Sequence, residues 1–151
     1  MKDNSDDYWM MQAINNAHKA EQKGEVPVGA VIVKDNKLIG SGFNRMIIEN
    51  DASAHAEIQA LRSAGQYSNN YRIPDATLYV TLEPCMMCVG AMVHARIKRL
   101  VFGAFDHKTG MVITKDKCFD KTYHNHKVDY YGGVKELECA QLLKDFFKKR
   151  R

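Results

Sequence analysis

Short strand-like runs alternate along this chain with segments of helical composition. The runs rich in β-branched and aromatic residues are residues 28–34, 38–43, 75–81, 99–103 and 128–131. The segments with helical composition are residues 8–23, 54–62, 85–95 and 134–149. Strand–helix–strand units favour parallel neighbours with helices packed on both faces. The alternation therefore predicts an α/β protein, a three-layer α/β/α sandwich with about five strands.

The first two strands are expected to form a hairpin, because Asp35 and Asn36 between them are turn residues. The unbroken apolar run over residues 28–33 is typical of a strand buried on both sides. Pro84 is expected in the first turn of the helix over residues 85–95, where proline is tolerated. Residues 105–125 are polar and irregular, with room for a short helix.

A length of 151 residues suits one domain, residues 1–151, with a core of its own. With 45% hydrophobic and 26% charged residues, disordered, collagen-like and coiled-coil chains are excluded. No apolar run approaches the ~20 residues that span a membrane. Residues 1–9 are polar and lack the apolar core of a secretory signal. The cytoplasm is the expected location, and membrane partners are not expected.

Cys85 and Cys88 are three residues apart at the start of a predicted helix, so both sulfurs can reach one ion. The positive end of a helix also favours the thiolate form. His55, at the start of another predicted helix, offers a third ligand. Two thiolates and one imidazole suit Zn²⁺, and three protein ligands leave a position open for water, as in catalytic zinc sites.

Glu57 lies two residues after the histidine. Water bound to zinc has a pKa of about 7, and a nearby carboxylate can take its proton and pass it on. Taken alone, the cysteine pair is also typical of redox motifs or of core packing, and a lone His55 or Glu57 is usually structural. The combination H-x-E…P-C-x-x-C is far more specific and indicates metal-assisted hydrolysis.

H-x-E…P-C-x-x-C is the pattern of the zinc-dependent nucleobase deaminases. The wider sequence resembles the bacterial TadA-type tRNA adenosine deaminases, within the cytidine-deaminase-like superfamily. The resemblance covers nearly the whole chain in order, through residues 25–31, 44–45, 55–58, 75–88, 90–92, 101–104, 108–110, 125–126 and 145–147.

The resemblance implies a cytidine-deaminase-like fold with a mixed sheet and a role for individual residues. His55, Cys85 and Cys88 would bind one Zn²⁺ per subunit, and Glu57 would be the catalytic proton shuttle. The residues implied in substrate binding are Asn44, Ala56, Asp106, Lys108, Asn125 and Phe147. Asn44 would contact the flipped base, the backbone amides near Ala56 and Cys85 would help to hold water and base, and the others would line the RNA surface.

The resemblance also implies the reaction and the partners. The enzyme would be a homodimer acting on the anticodon stem-loop of a tRNA, with an anticodon-binding site that draws on both subunits. Zinc-activated water would add at C6 of adenine while Glu57 protonates N1 and then the departing amine. The product would be inosine at wobble position 34, in an arginine tRNA. A base must be unpaired or flipped to enter such a pocket.

The sequence departs from the family at two places. Phe105 stands where an arginine is expected, and residues 111–124 replace a segment rich in small residues. The charge pattern agrees with an RNA partner, because residues 96–127 hold eight Lys or Arg against three Asp, and residues 144–151 hold five against one. For the tail, a solvated helix end explains this charge equally well.

Two other functions stay open at this point. One is deamination of a free base such as cytosine or guanine, because those enzymes share much of the Pro-Cys-x-x-Cys region. The other is a zinc-stabilised binding module without catalysis. Glu57 argues against such a module, since a structural site needs a fourth ligand and no proton shuttle.

Overall fold

The computed structural model describes residues 4–150 and contains one mixed sheet in the order β2-β1-β3-β4-β5. The strands are β1 (Gly29–Lys34), β2 (Lys37–Phe43), β3 (Thr77–Leu82), β4 (Arg99–Ala104) and β5 (Asp129–Gly132). β1 runs antiparallel to β2 and β3, and β3, β4 and β5 are parallel to one another. The predicted five-stranded mixed sheet is confirmed.

Helices cover both faces of this sheet. They are α1 (Asp6–Gln22), α2 (Met46–Glu49), α3 (Ala56–Ser68), α4 (Met86–His94) and α5 (Glu136–Lys149), with a short 3-10 helix at Cys118–Asp120. α1 and α5 pack with one face of the sheet in one apolar cluster, and α3 and α4 pack with the other face in a second cluster. This arrangement confirms the three-layer sandwich.

The burial of β1 explains why its sequence is apolar from Gly29 to Val33. Ala30 and Ile32 point into the cluster with α3 and α4, whereas Val31 and Val33 point into the cluster with α1. Alternate side chains of a strand face opposite sides, so a central strand covered on both faces needs apolar residues throughout. The prediction of a doubly buried strand is confirmed, although β1 is paired antiparallel on both edges.

Three polar side chains tie the start of α1 to the sheet. Asp6 accepts hydrogen bonds from Arg99 Nη1 and Nη2, at 2.9 and 2.7 Å, and from the Tyr79 hydroxyl at 2.7 Å. The hydrogen bond from Arg99 is the main reason that the pKa of Asp6 is lowered, against an opposing effect of burial. The same contact joins residues 93 positions apart.

The structure differs from the sequence prediction at two helix boundaries. Helix α3 continues to Ser68, beyond the predicted end at residue 62, because Ala60 and Ala64 are buried against the sheet. Pro84 does not lie in the first turn of α4, so that prediction is wrong. The helix begins at Met86 with Cys85 as its N-cap. Pro84 belongs to the extended chain before the cap, where its carbonyl accepts the Met111 N–H at 3.0 Å.

Two buried side chains, Cys139 and Phe146, attach the C-terminal helix to the rest of the protein. Cys139 is buried in the cluster with α1. Of the two adjacent phenylalanines, Phe146 is buried and Phe147 is exposed. Arg151, counted above in the basic tail, lies outside the described residues. Within residues 4–150, none of the helices combines the length and the apolar character needed to traverse a bilayer.

Candidate active site

Several chain segments end or begin at one edge of the sheet. β2 and β4 end at Phe43 and Ala104, β3 ends at Leu82, and β1 begins there, since Ala30 pairs with Val80. The residues that follow the strands are therefore brought together. Ligands bind at this edge in open α/β sheets in general.

His55, Cys85 and Cys88 form a cluster whose ligand atoms all lie within 4.8 Å of one another. His55 Nδ1 is 3.7 Å from Cys85 Sγ and 3.6 Å from Cys88 Sγ. Around a tetrahedral Zn²⁺, with ~2.3 Å to sulfur and ~2.05 Å to nitrogen, the N···S separation is about 3.6 Å. The three side chains are thus already spaced for such an ion.

Both helices that carry the cluster begin at one of its members. His55 is the N-cap residue of α3 and Cys85 is the N-cap residue of α4, yet neither side chain caps its own helix. The side chains are therefore free to point at a metal. The positive ends of the two helix dipoles lie at the same point and favour thiolate and hydroxide there.

The close approach of Cys85, Cys88 and His55 shifts the pKa values of all three side chains. The hydrogen bond with Cys88 is the largest cause that lowers the pKa of Cys85 to about 4, with His55 adding to it against the effect of burial. The same hydrogen bond, together with burial, raises the pKa of Cys88. The hydrogen bond with Cys85 also raises the pKa of His55, against burial. Metal binding must therefore displace a proton from Cys88.

Glu57, in the first turn of α3, is 4% exposed. Burial is the largest cause that raises its pKa to about 7, against a backbone hydrogen bond and the charge of His55. A carboxyl group with a pKa near neutrality can both accept and release a proton at pH 7. Glu57 has this property beside the cluster of His55, Cys85 and Cys88, which could hold a metal ion.

Asn44 and Ala56 are joined to each other. The Asn44 side-chain oxygen accepts the Ala56 N–H at 2.9 Å, and its amide nitrogen donates to the Val26 carbonyl at 3.1 Å. The Ala56 amide, expected to help hold water and base, is therefore occupied by Asn44. Asn44 itself keeps one N–H and one lone pair for a ligand.

A cavity of about 150 Å³ lies against these groups. Its lining residues are Val26, Val28, Asn44, Met46, His55, Glu57, Leu82, Glu83, Cys85, Asp106 and Thr109. A cavity of this volume holds one aromatic ring. It is large enough for a single base but not for stacked bases, so a nucleobase must leave its stack to enter.

The structure brings some of the expected substrate-binding residues to this cavity but not others. Asn44 and Asp106 line it. Asp106 accepts the N–H groups of Lys108 and Thr109, which leaves Lys108 exposed in the turn just outside. Asn125 lies exposed before β5, and Phe147 lines a separate surface depression on α5.

Two buried carboxylates near the cavity had no role in the sequence analysis. Glu83 is 2% exposed and Glu25 is 1% exposed. Glu25 accepts the N–H groups of Ile47 and Ile48 at the start of α2. The signal in the sequence was an acidic residue among apolar residues and next to a proline, as in Leu82-Glu83-Pro84. A buried charge in such a place needs hydrogen-bond partners.

Comparisons with known proteins agree with this geometry. The family model described as MafB19-like deaminase matches residues 4–151. A tRNA-specific adenosine deaminase of Haemophilus influenzae is 51% identical over 147 residues, which are 97% of this chain and 85% of that protein. A structure from a study of A-to-I editing by tRNA:A34 deaminases at the wobble position superposes with a TM-score of 0.87 at 43% identity, covering 90% of this chain and 99% of the other.

A more distant structure shares the fold. A guanine deaminase from Nitrosomonas europaea superposes with a TM-score of 0.77 at 21% identity and covers 94% of this chain and 84% of the other. At that identity the likeness concerns the fold alone.

Proposed function

Because this chain belongs to the MafB19-like deaminase family, we propose that it is a tRNA-specific adenosine deaminase that forms inosine at wobble position 34. The observation that carries the proposal is the cavity for one base, with a buried Glu57 beside the cluster of His55, Cys85 and Cys88. The relatives named as tRNA-specific adenosine deaminases match nearly the whole chain.

The residues of the chain divide the reaction between them. His55, Cys85 and Cys88 would hold Zn²⁺, which when bound supplies a water of lowered pKa. Glu57 accepts a proton from the attacking water and delivers it to adenine N1. It then takes the proton of the new C6 hydroxyl group and passes it to the departing amine, so that C6 becomes a carbonyl. Adenosine and water thus give inosine and ammonia. The pKa of Glu57 near 7 suits both proton transfers.

Asn44 is the proposed contact for the flipped base. Its remaining N–H and lone pair match the N7 and N6 groups with which asparagine recognises adenine. Its two backbone contacts hold the side chain in one orientation before substrate arrives. Asp106 is the proposed contact for the flanking nucleotides at the mouth of the cavity, with Lys108, Asn125 and Phe147 on the outer RNA surface.

The decisive experiment is incubation of the zinc-loaded protein with total tRNA, followed by mapping of inosine and by metal analysis. Inosine at position 34 is expected, and Glu57→Gln should keep the zinc but lose at least about a thousandfold in turnover. Turnover of free cytosine or guanine, with none on tRNA, would instead make the protein a free-base deaminase. Zinc without any turnover would indicate a binding module.

The arginine tRNA is proposed as the substrate from the resemblance to the TadA-type enzymes. Because the enzyme reads an unpaired loop, the anticodon nucleotides beside A34 decide the choice among tRNAs. Equal amounts of unmodified tRNA species with A34 would be compared. Preference for another isoacceptor would contradict this assignment but would leave the deaminase reaction intact.

A homodimer is proposed because α3 and α4 present an uncovered groove of about 650 Å³ with Ile58, Leu61 and Ala91 among its lining residues. Met86 and Met87 at the start of α4 are also exposed. Apolar surface of this kind marks association sites, and a second copy of the chain is the proposed occupant. Leu61→Asp should then lower the mass measured by light scattering from two chains to one. An unchanged dimer mass would place the interface elsewhere.

The proposed setting is the cytoplasm, with residues 1–151 as one domain. Cys85 and Cys88 must stay reduced to bind zinc, and a reducing compartment keeps them so. Fractionation of cells with an antibody to the chain would test the location. Limited proteolysis that yields one stable core would test the single domain.

A further inference from the structure

Glu83 is a buried carboxylate that the reaction above does not use. It lies between the end of β3 and the metal-ligating Cys85, and it is 2% exposed. It also lines the catalytic cavity. A carboxylate in such a place is stable only when its oxygens accept several hydrogen bonds.

All the hydrogen bonds that the structure gives to the Glu83 carboxylate come from a single segment, residues 106–114. One oxygen accepts the Asp106 N–H at 3.1 Å and the Thr114 hydroxyl. The other accepts the N–H groups of Val112, Ile113 and Thr114 at 3.1, 2.8 and 3.0 Å. The carboxylate therefore gathers the two ends of this segment around one point.

The segment carries two of the residues that line the cavity, Asp106 and Thr109. Asp106 holds the turn between them through its own bonds to the Thr109 N–H and hydroxyl. At Gly110 a Cβ would collide with the Glu83 carboxylate, so the chain passes directly over it. The position of one wall of the cavity thus depends on Glu83.

The described residues 106–114 contain neither helix nor strand, so Glu83 replaces the regular hydrogen bonding that they lack. The segment has one further backbone tie nearby, from the Met111 N–H to the Pro84 carbonyl at 3.0 Å. Both contacts attach it to the two residues directly before Cys85, so the segment is fixed relative to the metal-binding end of β3.

We propose that Glu83 is a positioning residue for the substrate, which sets the wall formed by residues 106–114 against the metal-ligating end of β3. The proposal rests on the proposed deaminase function. Glu83 contacts no reacting atom. It acts through Asp106 and Thr109, whose placement decides how well the flipped nucleotide and its neighbours fit.

The test is Glu83→Gln in the zinc-loaded full chain, with an anticodon stem-loop RNA containing A34 as substrate. A side-chain amide turns an N–H₂ group towards donors, so several bonds of the segment are broken. The KM is expected to rise roughly tenfold or more while kcat per bound zinc changes less than about threefold, as for weakened ground-state binding. Hydrogen exchange at the amides of residues 106 and 112–114 should accelerate.

Two further variants disturb the same contact by changing the segment 106–114 instead of Glu83. Gly110→Ala pushes the segment off an intact carboxylate, and Thr114→Val removes one donor at nearly constant shape. Both variants should raise KM, as Glu83→Gln does. They test the proposal if Glu83→Gln does not fold. Asp116→Asn is the matched control, since Asp116 lies just beyond the segment and pairs with Lys121.

The outcomes separate the possibilities. Faster exchange with a raised KM in the variants, and neither in Asp116→Asn, supports the proposal. Faster exchange with an unchanged KM overturns it and leaves Glu83 a stabiliser of the fold. Loss of zinc with a lower kcat and an unchanged KM also overturns it, and assigns Glu83 to support of Cys85. If the wild-type chain does not deaminate the RNA, the proposed function fails. The hydrogen-exchange result then still shows whether Glu83 holds residues 106–114 in place.

Discussion

Asp6, in the first turn of α1, binds the partly exposed Arg99 and the buried Tyr79 of the sheet. Its carboxylate meets both terminal nitrogens of Arg99 and the Tyr79 hydroxyl, and its negative charge lies in the first turn of α1. Charged and bidentate hydrogen bonds are stronger than neutral ones. Both members of the ion pair remain about a third exposed, so solvent screening keeps the contribution near 1 kcal/mol.

Asp6→Asn should lower the free energy of unfolding by about 1 kcal/mol at pH 7. The pKa of Asp6 is lowered in the folded state, so its stabilisation is complete above the unfolded value of about 3.9 and is lost as the pH falls through the folded value. Urea unfolding between pH 3 and pH 7 would measure this. The gap between the two proteins should be constant above about pH 5 and should narrow below pH 4.

Asp7→Asn provides the control, because Asp7 is exposed in the same helical turn and shares only the dipole contribution. If Asp7→Asn were as destabilising as Asp6→Asn, the effect would belong to the helix dipole and not to the contacts with Arg99 and Tyr79.

At the scale of elements, α3 lies unusually close to β2. At Gly42 a Cβ would fall on the backbone of Ala56 and Ala60 and on the Gln59 side chain. Glycine at this position lets the helix approach the strand, and the helix carries Glu57 in its first turn. The close packing therefore bears directly on the geometry of the candidate active site.

Gly42→Ala should destabilise the fold by about 1–3 kcal/mol, because the added methyl group forces helix and strand apart. Thermal unfolding would show a melting temperature lower by roughly 2–4 °C per kcal/mol. Gly90→Ala is the matched control, since a Cβ at Gly90 of α4 meets nothing within 4 Å. Equal melting temperatures for Gly42→Ala and the wild type would mean that α3 shifts without strain.

The elements differ in how far the sequence predicts them. The sheet was predicted from apolar and β-branched runs, because burial on both faces leaves an unbroken apolar run in β1. Helix α2 was not predicted from the sequence, because its four residues are held by a carboxylate distant in the chain, that of Glu25. Pro84 was placed wrongly because the sequence does not show that its carbonyl binds Met111.

The candidate site was likewise predicted only in part from the sequence. His55, Glu57, Cys85 and Cys88 were predicted from chemistry and spacing within two short motifs, and the structure brings them together. The role of Glu83 could not be predicted, because its partners lie 23 to 31 positions away. A local motif shows which groups do chemistry, whereas the hydrogen bonds that hold a loop depend on tertiary contacts.

At the scale of the whole molecule, a net charge of +4 hides an uneven distribution. The end of α5 carries Lys144, Lys148 and Lys149 on exposed positions around Phe147. Arg150 differs from these lysines, since it donates to the Gly24 carbonyl at 2.9 Å and lies over the Phe146 ring at 4.4 Å. Deleting the tail would therefore remove a structural contact together with the charges.

The double variant Lys144→Gln with Lys148→Gln should weaken binding of an anticodon stem-loop RNA. The plot of the logarithm of the binding constant against the logarithm of the salt concentration has a negative slope. Its steepness should decrease by about 0.7–0.9 for each phosphate that the variant no longer neutralises. Fluorescence anisotropy at several salt concentrations would measure it. The pair Lys34→Gln with Lys37→Gln, at the turn between β1 and β2, is the control with the same change of charge. Equal slopes for the two pairs would assign the end of α5 to solvent.

The origin of α3 and α4 at His55 and Cys85 has a consequence for how this protein can change over time. Part of the positive field at the cavity comes from backbone amides at the ends of helices, and no side-chain substitution removes it. Substitutions further along either helix can accumulate without weakening that field, provided that each helix still starts at the same residue. An insertion or deletion of one residue just before α3 or α4 would displace the His55 or Cys85 side chain together with the positive helix end. These two positions are therefore where the chain tolerates a change of length least.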